Sequence, residues 1–258
     1  GGVTSFFDMP NTKPSTITIE AMAERKQHAS EKCVVNYNFF IGATNTNLDV
    51  LNGVKNVPGI KIFMGSSTGD LLVSDTKDLE NIFGNGSRLI AVHAEDDDII
   101  NAAKEIYKNS TDFNHHQFVR PPDAALKATT LAVELSIKYQ RRLHILHTTT
   151  LDEVRYLEIQ KSKAPISAEV CPQHFLLSAP YIYKKIGAYA QMNPPIRNIE
   201  HGEALWDGLV NGVIDCIATD HAPHTHEEKA KPFGEAPAGM PGVETSLPML
   251  LDRANRGL

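Results

Sequence analysis

The sequence predicts an α/β protein of the (β/α)8-barrel type, a single domain over residues 1–258 that lacks the first strand and the C-terminal part of the barrel. Three observations lead to this prediction. Seven apolar segments rich in β-formers alternate with segments of helical periodicity, which is typical of parallel βα units. The length of 258 residues lies near the ~250 residues of one such barrel. Four of the seven strands end in side chains that can bind a metal, and barrel enzymes place their chemistry at the carboxyl ends of strands.

In the first half of the chain, strands are predicted where short apolar runs end at a turn residue. They lie at residues 3–9, 34–41, 60–64 and 89–92, and helices with apolar residues three to four positions apart lie at 17–32, 48–54 and 75–83. Pro10, Gly42 and Gly65 follow the first three strands and mark the turns. Thr16 or Thr18 is the N-cap of the first helix, because a threonine hydroxyl accepts a hydrogen bond from a free backbone amide there.

The second half of the chain continues the alternation as far as the last strand. Helices are predicted at residues 97–108, 123–139, 151–160 and 200–211, and strands at 143–146, 166–170 and 213–218. The last strand is expected to be buried, and Pro223 prevents it from continuing. Loop 225–242, rich in Pro, Gly, Glu and Lys, follows at the predicted barrel mouth, either as a lid or as a solvated connection.

An open, doubly wound sheet is the structural alternative to a barrel. Such a sheet usually carries a glycine-rich phosphate-binding loop after its first strand, and the sequence contains none. The barrel is therefore favoured, and its missing strand would precede Gly1. Because the chain starts directly at an apolar strand and stops at Leu258 within a helical pattern, we expect it to be a piece of a longer polypeptide.

Composition excludes several classes of protein. With 41% apolar and 22% charged residues, the chain is neither disordered nor fibrous. The net charge of -6 arises from interspersed signs without a long basic run, so we expect no nucleic-acid partner. No apolar run reaches the ~18 residues of a membrane span, so we expect no membrane partner. Cys33, Cys171 and Cys216 lie in apolar contexts and are expected to be buried thiols of a cytoplasmic protein.

Metal-binding side chains stand at the ends of four predicted strands: Lys61, His93, His147 and Asp220. Taken singly, a histidine or aspartate there is more often a structural residue or a helix cap. A lysine between two isoleucines is harder to explain, because burying an unpaired ammonium group is costly. If Lys61 has reacted with carbon dioxide, the resulting carbamate is an anion whose two oxygens can bridge two divalent ions. With two histidines and an aspartate, this set suits two Zn²⁺ ions and a solvent hydroxide nucleophile.

Six segments of the chain resemble the dihydroorotases of the amidohydrolase superfamily. They are residues 9–12 (MPNT), 61–69 (KIFMGSSTG), 92–95 (VHAE), 146–147 (LH), 193–197 (NPPIR) and 219–224 (TDHAPH). The match runs through almost the whole chain in the same order. It implies a distorted (β/α)8 barrel and the reversible ring closure of N-carbamoyl-L-aspartate to L-dihydroorotate in pyrimidine biosynthesis.

The resemblance also implies a role for each metal-binding residue. Lys61 would be the carboxylated ligand that bridges two Zn²⁺ ions, and His93 and His147 would hold the second, more buried ion. Asp220 would bind the first ion and act as the general acid and base, a task that requires a pKa suited to both roles.

Three further residues match positions that hold the substrate in this family. Asn11 and His224 would bind the carboxylate of a small-molecule substrate, and Asn193 would contact the pyrimidine ring. Without the resemblance, Asn11 and Asn193 would be interpreted as turn residues beside proline.

The remaining histidines are given structural or solvent-exposed positions. His174 follows another strand and is interpreted as a structural residue or one that supports the metal ligands. The others fall in polar loops or helix starts and are expected to be solvated: His115, His116, His201 and His226.

The chain departs from the family pattern in one important respect. The family's first strand supplies a His-x-His pair for the first metal and an arginine for the substrate carboxylate. No His-x-His precedes Lys61, and the only histidine before it is His28, inside a predicted helix. The family's final barrel helices and small β-sandwich are also unmatched. We therefore expect a dihydroorotase as the parent protein and a weakly active or inactive fragment.

Two competing functions are weighed against this prediction. Hydantoinases, dihydropyrimidinases and allantoinases share the barrel and the carboxylated lysine, but a carboxylate-bearing substrate is favoured by Asn11, Asn193 and His224. A non-catalytic amidohydrolase-like scaffold would not need Lys61 and the three other ligands. The sequence leaves open a homodimer and an association with a partner such as aspartate carbamoyltransferase.

Overall fold

The computed structural model describes residues 2–65 and 71–257. Its strands are β1 (Ser5–Asp8), β2 (Asn36–Phe39), β3 (Ile41–Gly42), β4 (Ile60–Phe63), β5 (Ile90–His93), β6 (Leu143–Ile145), β7 (Ile166–Val170) and β8 (Cys216–Ile217). The segment predicted to follow the third strand, residues 65–69, lies outside the described residues except for Gly65.

Helices separate the strands as the periodicity predicts. They are α1 (Ile19–Lys32), α2 (Leu48–Gly53), α3 (Thr76–Gly84), α4 (Asp97–Tyr107), α5 (His116–Val119), α6 (Pro122–Tyr139), α7 (Leu151–Gln160), α8 (Pro172–Leu176), α9 (Tyr181–Ile186), α10 (Ile199–Val210), α11 (His226–Lys229) and α12 (Ser246–Asn255). Thr18 is the N-cap of α1, and its side chain accepts a hydrogen bond from the backbone amide of Ala21. Among the described helices, none has the length and apolarity needed to cross a bilayer.

All strands are parallel and neighbour one another in chain order, which confirms the predicted α/β class. β1 pairs with β2, and β3 to β8 form a six-stranded sheet. The second predicted strand is split at Phe40 because it changes partners there. The Phe40 amide donates to Asp8 on the β1 side, and the next amide, of Ile41, donates to Gly59 before β4. The split gives eight labelled strands where the sequence predicts seven.

Each strand turns one face towards the helices and the other away from them. The large apolar core includes Ile62, Val92 and Ile145, which lie between the sheet and the helices. The alternate residues point to the opposite face, called the inner face below. In the parallel register Lys61 pairs with Ala91, and Ala91 pairs with His144, so these three share the inner face. The inner face therefore carries most of the polar side chains that the strands contribute.

The last strand differs from its prediction. It is confined to Cys216 and Ile217, and both residues are exposed rather than buried. β8 pairs with β7, and among the described residues no strand pairs with its other edge, so solvent reaches both faces of this edge. Of the three cysteines predicted to be buried, Cys171 is buried, Cys33 is half-buried and Cys216 is exposed.

Candidate metal centre at the carboxyl ends of the strands

The four predicted ligands lie at the carboxyl ends of neighbouring strands. Lys61 is on β4, His93 is the last residue of β5, and His147 and Asp220 follow β6 and β8. His147 and Asp220 have left-handed backbone conformations, with φ of 35° and 42°. Side-chain-bearing residues adopt this region rarely, and such strain collects at functional sites. The left-handed conformation lets side chains after a strand depart from the alternation between the two faces of the sheet.

The two histidines face each other through ring nitrogens. His93 Nδ1 lies 3.0 Å from His147 Nε2, and both residues are buried. Because Glu95 Oε2 lies 2.8 Å from His93 Nε2, the ionised carboxylate fixes the ring proton on Nε2. His93 Nδ1 is then unprotonated, and its lone pair points at His147 Nε2. Two nitrogens bound tetrahedrally to zinc at 2.0–2.1 Å lie roughly 3.3 Å apart, so the pair fits one divalent ion.

Burial keeps both imidazoles neutral, as metal ligands must be. Desolvation lowers the pKa of His93, against the raising effect of Glu95, and lowers the pKa of His147 well below its ordinary value. The positive charge of Lys61 lowers both pKa values further. A neutral imidazole keeps a lone pair for a metal ion at neutral pH.

Glu95 and Arg120 form a buried pair behind His93. Arg120 Nε donates to Glu95 Oε1 over 3.1 Å, and a second guanidinium nitrogen contacts Glu95 Oε2. Burial raises the pKa of the Glu95 carboxyl, but the charge of Arg120 and the bond to His93 outweigh it, so the pKa lies below its ordinary value. Glu95 thus stays ionised and orients the His93 ring, as carboxylates commonly do behind metal-bound histidines.

Lys61 is buried, with 2% of its surface exposed. Its Nζ lies 4.2 Å from the centre of the Phe63 ring and forms no hydrogen bond or salt bridge within the described ranges. Desolvation lowers the pKa of Lys61 to about 7, although Asp220 and Glu169 act in the opposite direction. A substantial share of the amine is therefore unprotonated at neutral pH.

We expect Lys61→Met to raise the free energy of unfolding of the metal-free chain by roughly 1–3 kcal/mol at pH 6. At this pH the amine is ionised, and burial of its charge destabilises the folded state. The folded-state pKa of about 7 lies below the ordinary 10.5, so the penalty is complete below pH 7 and fades as the pH approaches 10.5. Urea unfolding with a chelator at pH 6 and pH 9.5 should show the larger gain at pH 6. Lys77→Met, on an exposed residue, is the matched control. An equal gain at both pH values would contradict the penalty.

The Asp220 carboxyl interacts electrostatically with the Lys61 amine. Desolvation raises the pKa of Asp220 to about 6, Lys61 lowers it in part, and Glu169 raises it. The charge of Lys61 acts on Asp220, His93 and His147 alike. Lys61 therefore lies within electrostatic range of the other three predicted ligands, and His93 and His147 are in direct contact.

The loop after β6 is held rigidly. Thr150 is the N-cap of α7, and Glu153 completes a reciprocal capping box with it. The buried Glu153 carboxylate also accepts hydrogen bonds from the Thr149 amide and the Thr129 hydroxyl. These contacts fix the backbone next to His147.

Two of the three predicted substrate residues, Asn11 and His224, follow strands, and Asn193 follows a 3-10 helix; no described contact joins the three to the four ligands. Asn11 is exposed after β1. His224 is half-buried, and its ring nitrogens lie 3.3 Å from Glu228 Oε2 and from the Ala238 carbonyl. Asn193 is held by His116, whose Nε2 lies 3.1 Å from Asn193 Oδ1.

Three of the predicted positions of histidines need correction. His115, expected to be solvated, is half-buried, and its Nδ1 lies 2.6 Å from Ser110 Oγ. His116, expected to be solvated, is buried, because its Nε2 bonds the Met192 carbonyl at 2.9 Å as well as Asn193. His201 is half-buried, and its Nδ1 accepts from the Leu151 amide. His174 is buried and bonds the Pro194 carbonyl, in agreement with its predicted structural position.

Glu95 and Arg120 were missed as parts of the site. The spacing of His93 and Glu95 was a usable signal, because residues two apart on a strand point to the same face. Arg120 lies 25 positions from Glu95, and nothing in the sequence links the two.

Loop 225–242 is fastened to the protein rather than free in solvent. Lys229, on α11, is buried, and its Nζ donates to the carbonyls of Ala188, Gln191 and Pro237 at 3.1, 3.3 and 2.8 Å. These bonds hold α11 against the protein, while most residues of the loop before Ala236 are exposed to solvent.

No protein-family model matches the chain. A dihydroorotase from Halobacterium salinarum is 35% identical over 260 residues, which cover 100% of this chain and 60% of that protein. The chain thus spans about three fifths of the length of this curated relative.

Solved structures share the fold. L-hydantoinase (dihydropyrimidinase) from Arthrobacter aurescens superposes with a TM-score of 0.95 at 30% identity, over 100% of this chain and 60% of that one. Dihydroorotase from Saccharomyces cerevisiae, in complex with 5-fluoroorotic acid, superposes with a TM-score of 0.74 at 15% identity, over 100% of this chain and 72% of that one. These TIM-barrel neighbours confirm the predicted barrel type, of which this chain is a part.

Proposed function

Because this chain is a member of the amidohydrolase superfamily and matches dihydroorotases from end to end, we propose that it provides the metal centre of a zinc-dependent dihydroorotase. The enzyme would interconvert N-carbamoyl-L-aspartate and L-dihydroorotate in the cytoplasmic synthesis of pyrimidines. The observation that carries the proposal is the convergence of Lys61, His93, His147 and Asp220 at one end of the sheet.

The residues fit a pair of Zn²⁺ ions. His93 Nδ1 and His147 Nε2 would hold one ion, Asp220 would bind the other, and Lys61 would bridge them as a carbamate. Carbamate formation needs a neutral amine, which the pKa of about 7 supplies. The Lys61 nitrogen would form a bond to the carbon of carbon dioxide and release a proton. Zinc bound there would lower the pKa of water and polarise the substrate carbonyl.

Asp220 is the proton carrier of the proposed reaction. In the hydrolytic direction, its carboxylate would accept a proton from the attacking water and deliver it to the ring nitrogen as the amide C–N bond breaks. In the metal-free chain burial raises the pKa of Asp220 to about 6, so the environment of this carboxyl favours proton exchange near neutral pH.

Substrate recognition is assigned to the residues around the strand ends. Asn11 and His224 would bind the substrate carboxylate, and Asn193 would contact the ring. Desolvation lowers the pKa of His116 to about 4, so its ring is neutral, and its Nε2 can donate to Asn193 Oδ1. That bond turns the Asn193 amide nitrogen away from His116 and leaves it available to a carbonyl of the ring.

We expect His116→Phe to weaken L-dihydroorotate binding about tenfold, because Asn193 loses the bond that orients its amide. Zinc affinity should stay within twofold, since His116 contacts none of the four ligands in the described ranges. Calorimetric titrations with ligand and with zinc would measure the two effects separately. Phe118→Tyr, on the same short helix at a partly exposed position, is the control. Equal losses of zinc and ligand affinity would contradict the positioning role.

A hydantoinase is the second candidate, because the A. aurescens L-hydantoinase has a TM-score of 0.95 to this chain. The two functions differ in the substrate carboxylate. Dihydrouracil has the ring of L-dihydroorotate without that group, so it is the matched ligand.

Calorimetric titration of the zinc-loaded chain with both ligands tests the proposal. We expect L-dihydroorotate to bind at least about tenfold more tightly, a difference of about 1.4 kcal/mol that one charged hydrogen bond can supply. Equal affinities, tighter binding of dihydrouracil, or no binding of either ligand would overturn the dihydroorotase proposal.

Catalysis by the chain itself should be weak. The family's His-x-His pair has no counterpart before Lys61. Only Lys61 and Asp220 would then hold the first ion. We expect slow hydrolysis of L-dihydroorotate that Asp220→Asn abolishes, measured by the loss of L-dihydroorotate and the formation of N-carbamoyl-L-aspartate.

A further inference from the structure

A second group of metal-binding side chains lies on the inner face of β6, β7 and β8. His144, Glu169 and Cys216 each offer one ligand atom, and these three atoms lie within 4.8 Å of one another. The parallel register pairs Glu169 with Cys216, and His144 with Ser167 two residues before Glu169. Side chains from three adjacent strands therefore converge here, and none of them is one of the four ligands described above.

The hydrogen bonds of His144 leave one ring nitrogen able to bind a cation. His144 Nδ1 lies 2.8 Å from Ser167 Oγ, and that hydroxyl donates its own proton to the Leu143 carbonyl over 3.4 Å. Ser167 must then accept from His144, which places the ring proton on Nδ1. His144 Nε2 is left with a lone pair 3.0 Å from Glu169 Oε2. Two lone pairs at that distance repel each other unless a proton or a metal ion lies between them.

Cys216 makes a metal ion the better choice. Its thiol completes a nitrogen, oxygen and sulfur donor set, which suits Zn²⁺ among the common divalent ions. Desolvation and the carboxylates of Glu169 and Asp215 together raise the pKa of the Cys216 thiol to about 11, against the lowering effect of Lys161, so the thiol is neutral without a cation. A bound metal would displace that proton, as zinc does from cysteine ligands.

Ser167 would support such a site. Metal-bound histidines usually donate their other ring proton to an oxygen, which fixes the tautomer and the ring orientation. Ser167 provides that acceptor for His144, and the backbone amide of His147 donates to Glu169 Oε1 at 3.3 Å. Both ligands are therefore held by neighbours.

We propose that His144, Glu169 and Cys216 form a second divalent-metal site on the inner face, suited to Zn²⁺ and separate from the site at Lys61. It is independent of the proposed dihydroorotase function. None of the four ligands of the Lys61 site contains sulfur, so a sulfur-specific signal that depends on Cys216 distinguishes the two.

Titration of the chain with Co²⁺ tests this proposal, because a thiolate bound to cobalt gives a near-ultraviolet charge-transfer band that nitrogen and oxygen ligands do not give. We expect the band in the wild-type chain, and we expect added Zn²⁺ to remove it, since zinc binds more tightly than cobalt. Cys216→Ser should abolish the band. His144→Ala should weaken cobalt binding by at least about tenfold.

Two matched variants complete the experiment. Cys33→Ser changes a half-buried thiol outside the group and should leave the band unchanged. His93→Ala removes a ligand of the other site and should also leave it unchanged. The absence of a band in the wild-type chain, or its persistence in Cys216→Ser, would overturn the proposal. Circular dichroism of each variant would exclude loss of the fold as the cause.

Discussion

Replacing His93 with alanine is expected to lower zinc affinity at the Lys61 site by at least about a hundredfold. Loss of a residue that only hydrogen-bonds to a metal ligand already lowers metal affinity about 10–100-fold, and His93 is proposed as a ligand itself. His93 Nδ1 is one of two facing nitrogens, and no other described imidazole occupies that position. A competition titration with a chromogenic chelator measures the affinity. The Cys216→Ser background keeps the second proposed metal site from contributing zinc.

The control for His93 is His28→Ala, which removes an exposed helical imidazole. Its zinc affinity should equal that of the parent chain. If His93→Ala bound zinc as tightly as His28→Ala does, the facing imidazoles would have no part in a metal site.

Glu95→Ala should destabilise the chain by about 3–5 kcal/mol, the usual cost of leaving one partner of a buried ion pair behind. Glu95 is fully buried, and Arg120 and His93 both bond its carboxylate. The variant leaves the buried guanidinium of Arg120 without this carboxylate. Urea unfolding of the metal-free chain gives the free energy directly.

A double-mutant cycle separates the ion pair from simple loss of packing. Glu95→Ala combined with Arg120→Met should recover at least about 1 kcal/mol relative to Glu95→Ala alone, because the buried guanidinium that faced the carboxylate is removed as well. Glu105→Ala, in the exposed pair with Lys108, should change the free energy of unfolding by less than about 1 kcal/mol. A loss in Glu95→Ala no larger than in Glu105→Ala would contradict the importance of the pair.

The order of strands and helices could be predicted because local patterns determine it. Alternating apolar runs and helical periodicity, with turn residues such as Pro10 and Gly42 between them, locate every strand to within a few residues. The split at Phe40 could not be predicted, because it depends on which neighbours the strand pairs with. The exposure of Cys216 likewise depends on the unpaired edge of β8, which an apolar sequence context does not reveal.

The part of the candidate site that could be predicted is the set of side chains at the carboxyl ends of strands. Lys61, His93, His147 and Asp220 are predicted from their positions in or after apolar runs; in the structure His93 contacts His147, and the charge of Lys61 acts on the other three. The partners that orient them come from distant segments. His116, for example, meets Asn193 across 77 positions of the chain, and no periodicity joins two loops.

Anomalous diffraction at the zinc edge, from crystals of this chain grown with Zn²⁺, tests the proposed metal centre most directly. We expect a peak within bonding distance of both His93 Nδ1 and His147 Nε2, with Lys61 and Asp220 directed towards it. A map in which those two nitrogens still face each other with no zinc between them would contradict the metal centre.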